Sequence, residues 1–170
     1  MTRATAEEVY PLFHECFPEV TRGSFDVVAE ITEMWHIEGK AFCMCFRVGG
    51  GLFIQYIGVV ERERGHGLCR DIMLDLKQEY GGLRMYGEVD PTSRMYKILS
   101  NNGWVDVPIS YVCPAWGEEP EDTSRNLLTA PILGYNKQEV FDWIGAVYRD
   151  CYEAQADHLL ERYRKELQLC

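Results

Sequence analysis

Residues 54–76 read IQYIGVVERERGHGLCRDIMLDL, and the reading of this stretch organises the rest of the chain. It belongs to an apolar run over residues 52–60 that is hydrophobic on both faces, as a central strand covered on both sides is. The run turns polar through Glu61-Arg62-Glu63, passes Arg64-Gly65-His66-Gly67, and resumes with Leu68, Cys69, Ile72, Met73, Leu76 and Tyr80 at helical spacing. Gly81-Gly82 stops that helix. A strand that feeds a helix through two glycines outlines an anion site. Glycine lets a bound group approach the backbone, and the first amides of the helix face it at the positive end of the dipole. Two common phosphate loops do not fit. A P-loop ends in Gly-Lys-Ser/Thr, whereas Gly67 is followed by Leu68-Cys69, and a dinucleotide fingerprint needs a third glycine where Arg70 stands.

Upstream, residues 5–17 carry Val9, Leu12, Phe13 and Phe17 at helical spacing, with Thr5 as cap and Pro18 beyond the end. Residues 24–34 predict a second helix, capped by Ser24 and turning Val27, Val28 and Ile31 inward. Extended runs follow at residues 34–37, 40–48 and 52–60, separated by Glu38-Gly39 and Gly49-Gly50-Gly51, so the simplest arrangement is an antiparallel meander.

Downstream, Leu83, Met85 and Val89 alternate with Arg84, Tyr86 and Glu88, which reads as a strand. Asp90-Pro91 is expected to open a fourth helix and Asn102-Gly103 to close it. Residues 104–114 and 127–133 predict strands joined by an acidic loop at 117–122. The tail from Lys137 is helical in pattern, through Val140, Ile144, Val147, Cys151 and Ala154 and then Leu160, Tyr163 and Leu167. An unbroken helix of that length would outrun one small domain, so a break near residues 154–158, or packing on a second subunit, is expected. The expected division is therefore a domain over residues 1–136 and a C-terminal helical extension over 137–170.

The chain has 170 residues and is 46% hydrophobic, enough for one core without disulfides or a structural metal. Its 17 Lys and Arg against 27 Asp and Glu give a net charge of −10, a field that repels phosphate polymers and anionic lipid, so neither nucleic acid nor membrane is expected as a partner. Seven scattered cysteines do not read as a disulfide framework. No secretory leader is read in the first residues, and the longest apolar run, residues 41–46, is too short to cross a bilayer. The expected location is the cytoplasm. Cys43 and Cys45 share a strand face without a second ligand pair, and His14, His36 and His158 have no partners at ligand spacing, so no metal is expected. The tryptophans Trp35, Trp104, Trp116 and Trp143 read as core or groove walls, given the charge.

The segments IQYIGVVERERGHGLCRDIMLDL, LRMYGEVDP and RMYKILSNNGW together resemble the GNAT acyltransferases, whose phosphate turn Arg/Gln-x-x-Gly-x-Gly/Ala lies between a central strand and a helix. Here the turn is Arg64-Gly65-His66-Gly67-Leu68-Cys69, with cysteine at the position of the family's last small residue. A second register, Arg62-x-x-Gly65-x-Gly67, keeps all three family residues; the first is preferred because it sets Val59 and Ile72-Met73 at the family's strand valine and helix aliphatics. Asn102-Gly103-Trp104 is similar to the family's Gly-Phe after the fourth helix. The resemblance implies an α/β fold, a mixed and mostly antiparallel central sheet flanked by helices.

It further implies acetyl-coenzyme A as co-substrate and no metal. The pyrophosphate would lie on the amides of Arg64, Gly65, His66, Gly67 and Cys69, the pantetheine arm would pair with the backbone of Ile57 and Val59 where the family's strand splays, and Arg64 and Arg70 would offset charge. Transfer to an amine needs a base and an acid. The family's acid tyrosine falls at Leu99, which leaves Tyr96, one helical turn earlier, as the candidate acid; Glu88 is the candidate base. The implied reaction is N-acetylation of a primary amine by direct attack in a ternary complex, the acceptor a cationic small molecule or a lysine. The alternatives are a degenerate fold kept for partner binding and a relative that modifies a macromolecule. A homodimer through the C-terminal helix is a further expectation.

Overall fold

A computed structural model describes residues 1–20, 22–113, 123–129, 136–150 and 157–169. The helices are α1 (Ala6–Cys16), α2 (Arg22–Ile31), α3 (Leu68–Glu79), α4 (Arg94–Asn101), α5 (Lys137–Asp150) and α6 (Asp157–Glu166). The strands are β1 (Thr2–Arg3), β2 (Glu33–Ile37), β3 (Ala41–Val48), β4 (Gly51–Val59), β5 (Arg84–Val89), β6 (Val105–Asp106), β7 (Val112–Cys113), β8 (Thr123–Ser124) and β9 (Asn126–Thr129). Seven of these form a mixed sheet in the order β1-β2-β3-β4-β5-β9-β6, and β7 pairs with β8 apart from it. The α/β class and the antiparallel character read from the sequence hold: β1–β2, β2–β3, β5–β9 and β6–β9 are all antiparallel.

The chain divides into two compact units, one of Met1–Phe46 with Ile54–Leu83, the other of Arg47–Phe53 with Arg84–Cys170. In the first unit, Thr5 caps α1 through a reciprocal capping box with Glu8, as expected of a Thr-x-x-Glu start. Phe13, Phe25 and Phe42 are fully buried, and the Phe13 ring meets both others. All of residues 41–46 are buried, so β3 is covered on both faces and Cys43 and Cys45 are core residues. Gly58 is required by lack of room: a Cβ there would sit 2.3 Å from Phe42 Cε1 and 2.9 Å from Cys16 Sγ.

In the second unit, Gly49 and Gly50 both take positive φ (53° and 78°), the backbone a two-residue hairpin demands between β3 and β4. Trp143 of α5 packs over that turn and stacks on Tyr86, with ring centroids 4.0 Å apart. Tyr148 and Tyr163 bring α5 and α6 together through their hydroxyls, 3.0 Å apart.

Several local expectations are corrected. Helix α2 begins at Arg22, so Ser24 is inside it rather than its cap. Val28 and Phe25 face the core, whereas Val27 and Ile31 are exposed. Helix α4 begins at Arg94 with Ser93 as its cap, because Asp90 accepts from the Thr92 amide and hydroxyl and closes a turn of its own ahead of the helix. The strand read over residues 104–114 is two short pairings, β6 and β7. The acidic loop at 117–122, Trp116 and residues 151–156 lie outside the described residues; of the span 154–158 where the tail was expected to break, Asp157 and His158 are described and open α6. Among the described residues no helix is long and apolar enough to cross a membrane.

Candidate active site

In the first unit, β4 runs into a single 3₁₀ turn (Glu61–Glu63) and then into α3. The Val60 amide donates to the Lys40 carbonyl at 2.9 Å, so Val60 and, by strand alternation, Gly58 turn their peptide groups toward β3. Those of Ile57 and Val59 point the other way. Gly65 and Gly67 adopt φ of 90° and 83°, and nothing lies within 4 Å of a Cβ built at Gly65. Gly67 is the N-cap of α3 and supplies no side chain to it; the first intrahelical bond runs from the Asp71 amide to the Gly67 carbonyl at 3.1 Å. The preceding amides of the first turn have no acceptor within the helix. A helix start of this kind, entered from two positive-φ glycines, is a local backbone geometry that suits an anion.

The arginines of the two registers differ. Arg62 binds Glu15 at 3.0 Å and the Gly39 carbonyl at 2.7 Å, so its charge is spent on the scaffold. Arg64 adjoins the glycines and donates from Nε to the Val59 carbonyl at 3.0 Å, bracing the strand end against the turn. Its guanidinium also reaches the half-buried Cys16 thiol, whose pKa burial raises on balance. Arg70 is exposed and lies 3.7 Å from Asp71. His66 Nδ1 lies 3.2 Å from the Glu63 carbonyl. Burial pushes the Cys69 thiol up to about 11, which makes it a poor nucleophile at neutral pH.

In the second unit, Glu88 lies on β5 opposite Leu127 of β9, half-buried, and accepts a hydrogen bond from the Tyr111 hydroxyl. Tyr96 on α4 donates its hydroxyl to Asp106 Oδ2 at 2.7 Å. Leu99, where the family resemblance expects the acid tyrosine, is packed in the core. The sequence reading missed Tyr111, Tyr148 and Tyr163, all fully buried. The signal available for them was weak: a tyrosine on an apolar stripe needs a hydroxyl partner once buried, and the stripe does not say which. Glu33 receives the Tyr80 hydroxyl at 2.8 Å and pairs with Arg3. No group of metal-ligating side chains occurs among the described residues.

Solved structures share this architecture. A protein from Bacteroides thetaiotaomicron assigned to the GNAT family of acetyltransferases superposes with a TM-score of 0.68 over 91% of this chain and 98% of that one, at 14% identity. The chain has the GNAT fold. The ribosomal-protein-S18-alanine N-acetyltransferase of Escherichia coli matches with a TM-score of 0.56 at 16% identity, over 79% of this chain and 96% of that one. A diaminobutyrate acetyltransferase from Paenibacillus lautus, in complex with L-2,4-diaminobutyric acid and coenzyme A, matches with a TM-score of 0.56 at 11% identity, over 79% of this chain and 95% of that one. No protein-family model matches the sequence, and no curated protein does either.

Proposed function

We propose that this chain is an N-acyltransferase that carries an acetyl group from acetyl-coenzyme A to a primary amine by direct attack in a ternary complex. The observation that carries the reading is the glycine cradle between β4 and α3, set on the GNAT fold. Residues of that cradle suit a pyrophosphate: Gly65 has open space in front of it, Gly67 leaves the helix without a side-chain cap, and Arg70 is an exposed cation at the rim. When bound, the thioester supplies an activated acetyl group. The amides of Gly65, His66, Gly67 and Cys69 would hold the phosphates, the Arg64 amide being taken by the Glu61 carbonyl at 3.1 Å, and the peptide groups of Ile57 and Val59, turned away from β3, would take the extended arm as an added strand. The Val59 amide would polarise the reacting carbonyl.

Proton handling falls to Glu88 and Tyr96. Glu88, as carboxylate, takes the proton that the attacking amine loses. Tyr96 protonates the departing thiolate once its hydroxyl turns from Asp106. The acceptor is a primary amine that arrives as a cation, favoured in encounter by the net charge of −10. The neighbours suggest the panel to try: a small diamine such as L-2,4-diaminobutyrate and an alanine-terminated peptide.

The alternative, a degenerate fold that binds a partner without turnover, is favoured by one observation, the core-packed Leu99 at the acid position. A thermal scan separates the two. Acetyl-coenzyme A at a hundredfold over its Kd stabilises a binder by about 2.7 kcal/mol, whereas no shift at roughly millimolar cofactor would remove the enzyme reading. Thiol release across the amine panel then identifies the acceptor class.

A further inference from the structure

Residues 109–111 carry no helix or strand of their own, yet the backbone around Tyr111 is held almost completely. The Ser110 amide donates to Glu166 Oε2 at 2.6 Å, and the Ser110 carbonyl accepts from Arg162 Nη2. On the other side, the Val112 amide donates to the Tyr163 hydroxyl at 2.8 Å, and the Val112 carbonyl accepts from the Tyr148 hydroxyl. The Tyr111 carbonyl accepts from the Arg125 amide at 3.2 Å. Four of these five partners are side chains of α5 and α6, the helices to which the sequence reading gave no part in the chemistry.

The grip has a direction. Tyr148 spends its one proton on the Val112 carbonyl, so in its contact with Tyr163 it must accept, and Tyr163 donates. Burial, together with Tyr163 and the Glu88 charge, raises the Tyr148 pKa, which keeps that phenol a donor throughout the physiological range. Both rings are fully buried, and phenylalanine would fill their volume with no hydroxyl to satisfy; a chain of hydroxyls here fixes geometry rather than adding apolar burial. What it fixes is the one residue between the clamped peptides, and that residue points its hydroxyl at the carboxylate of Glu88.

We propose that the helix pair α5–α6 is a positioning device for acyl transfer, holding Tyr111 on Glu88 through Tyr148, Arg162, Tyr163 and Glu166, so that the carboxylate is fixed in orientation when it takes the amine proton. This rests on the acyltransferase reading, with Glu88 as base. Tyr111 is then a positioning residue, and Tyr148 and Tyr163 act through it. A misplacement of a base by about 1 Å is enough to cost on the order of a hundredfold in rate, whereas binding of the cofactor on the first unit is not touched.

The test uses the full chain and the amine of the panel that releases thiol fastest. Tyr111→Phe is expected to lower kcat by about 10- to 100-fold with the KM for acetyl-coenzyme A unchanged. Tyr163→Phe is expected to lower kcat in the same way and to speed hydrogen exchange at the Val112 amide, an activity-free readout. The double variant is expected to be no slower than Tyr111→Phe alone, because the two act on one contact. If Tyr163→Phe does not fold, Tyr148→Phe carries the same expectations. Faster exchange at Val112 with undiminished kcat, a rise in the KM for acetyl-coenzyme A alone, or additive losses in the double variant overturns the inference while leaving the acyltransferase standing. A folded wild-type chain silent on the whole panel overturns the acyltransferase reading, and this inference with it.

Discussion

The turn at residues 64–70 and the segment at residues 110–112 are both short, both irregular, and opposite in how they use their backbone. In the turn, two positive-φ glycines and an uncapped helix start leave peptide groups facing outward, and Arg64 grips the strand end at the Val59 carbonyl. In the segment, five backbone N–H and C=O groups are claimed, four of them by side chains brought from more than 35 residues away in sequence. The difference teaches what each is for. A backbone left open is disposed to receive a ligand; a backbone closed on all sides is disposed to hold a neighbouring side chain still. Substitutions in the first should cost binding, and substitutions in the second should cost stability and precision even with no ligand present.

The largest expected effect is at Gly58, on the strand that leads into the open turn. A Cβ there meets the Phe42 ring at 2.3 Å, and the core around Phe13, Phe25 and Phe42 has no slack to give. Gly58→Ala is expected to destabilise the chain by about 3 kcal/mol, read from the urea midpoint. A loss under about 0.5 kcal/mol would mean that the strand end is loosely packed and that the comparison begins from a wrong premise.

Tyr148→Phe comes next and probes the closed segment. It strips the Val112 carbonyl of its donor and the Tyr163 hydroxyl of its acceptor, with an expected cost of about 1–3 kcal/mol in the absence of any ligand. Gly67→Val probes the open turn. Its positive φ strains a β-branched residue by about 1–2 kcal/mol, but the decisive readout is the cofactor-induced rise in Tm, which should vanish. The comparison breaks if the Tyr148 variant keeps full stability, or if the Gly67 variant keeps the full cofactor shift.

The open turn was legible in the sequence because its signals are local. Glycines with the right spacing, a strand before and an amphipathic helix after are all within about two dozen residues, and the same locality gave α1 with its Thr5 cap and the Gly49-Gly50 hairpin. The closed segment was not legible, because Tyr111 meets Glu88, Tyr148 and Tyr163 only through the tertiary fold, and a tyrosine on an apolar stripe looks like any other core aromatic. The errors in α2 and α4 have the same character. Ser24 and Pro91 are plausible helix starts, and what displaced them was, for α2, a helix that begins before Ser24 and, for α4, the turn that Asp90 makes with Thr92 ahead of Ser93.

The smallest expected effect concerns Cys69 at the edge of the open turn. Burial lifts its thiol from an ordinary value of 9.0 to about 11, so the folded chain holds this proton over a range in which the unfolded chain has released it. Stability from this group is therefore complete below about pH 9 and is lost as pH rises through about 11, the reverse of what a salt-bridged carboxylate with a lowered pKa would give. Tyr86, pushed up to about 12, adds to the same alkaline decline at higher pH. Cys69→Ala should flatten the fall in urea midpoint between pH 8 and pH 10.5, and iodoacetamide should modify Cys69 in the folded chain slowly at pH 8 and faster as pH rises. Fast modification at pH 8 would show a thiol open to solvent at the helix start. The open character assigned to the turn would then extend to its side chains, whereas a protected Cys69 confines it to the backbone, where the proposed function seats a phosphate.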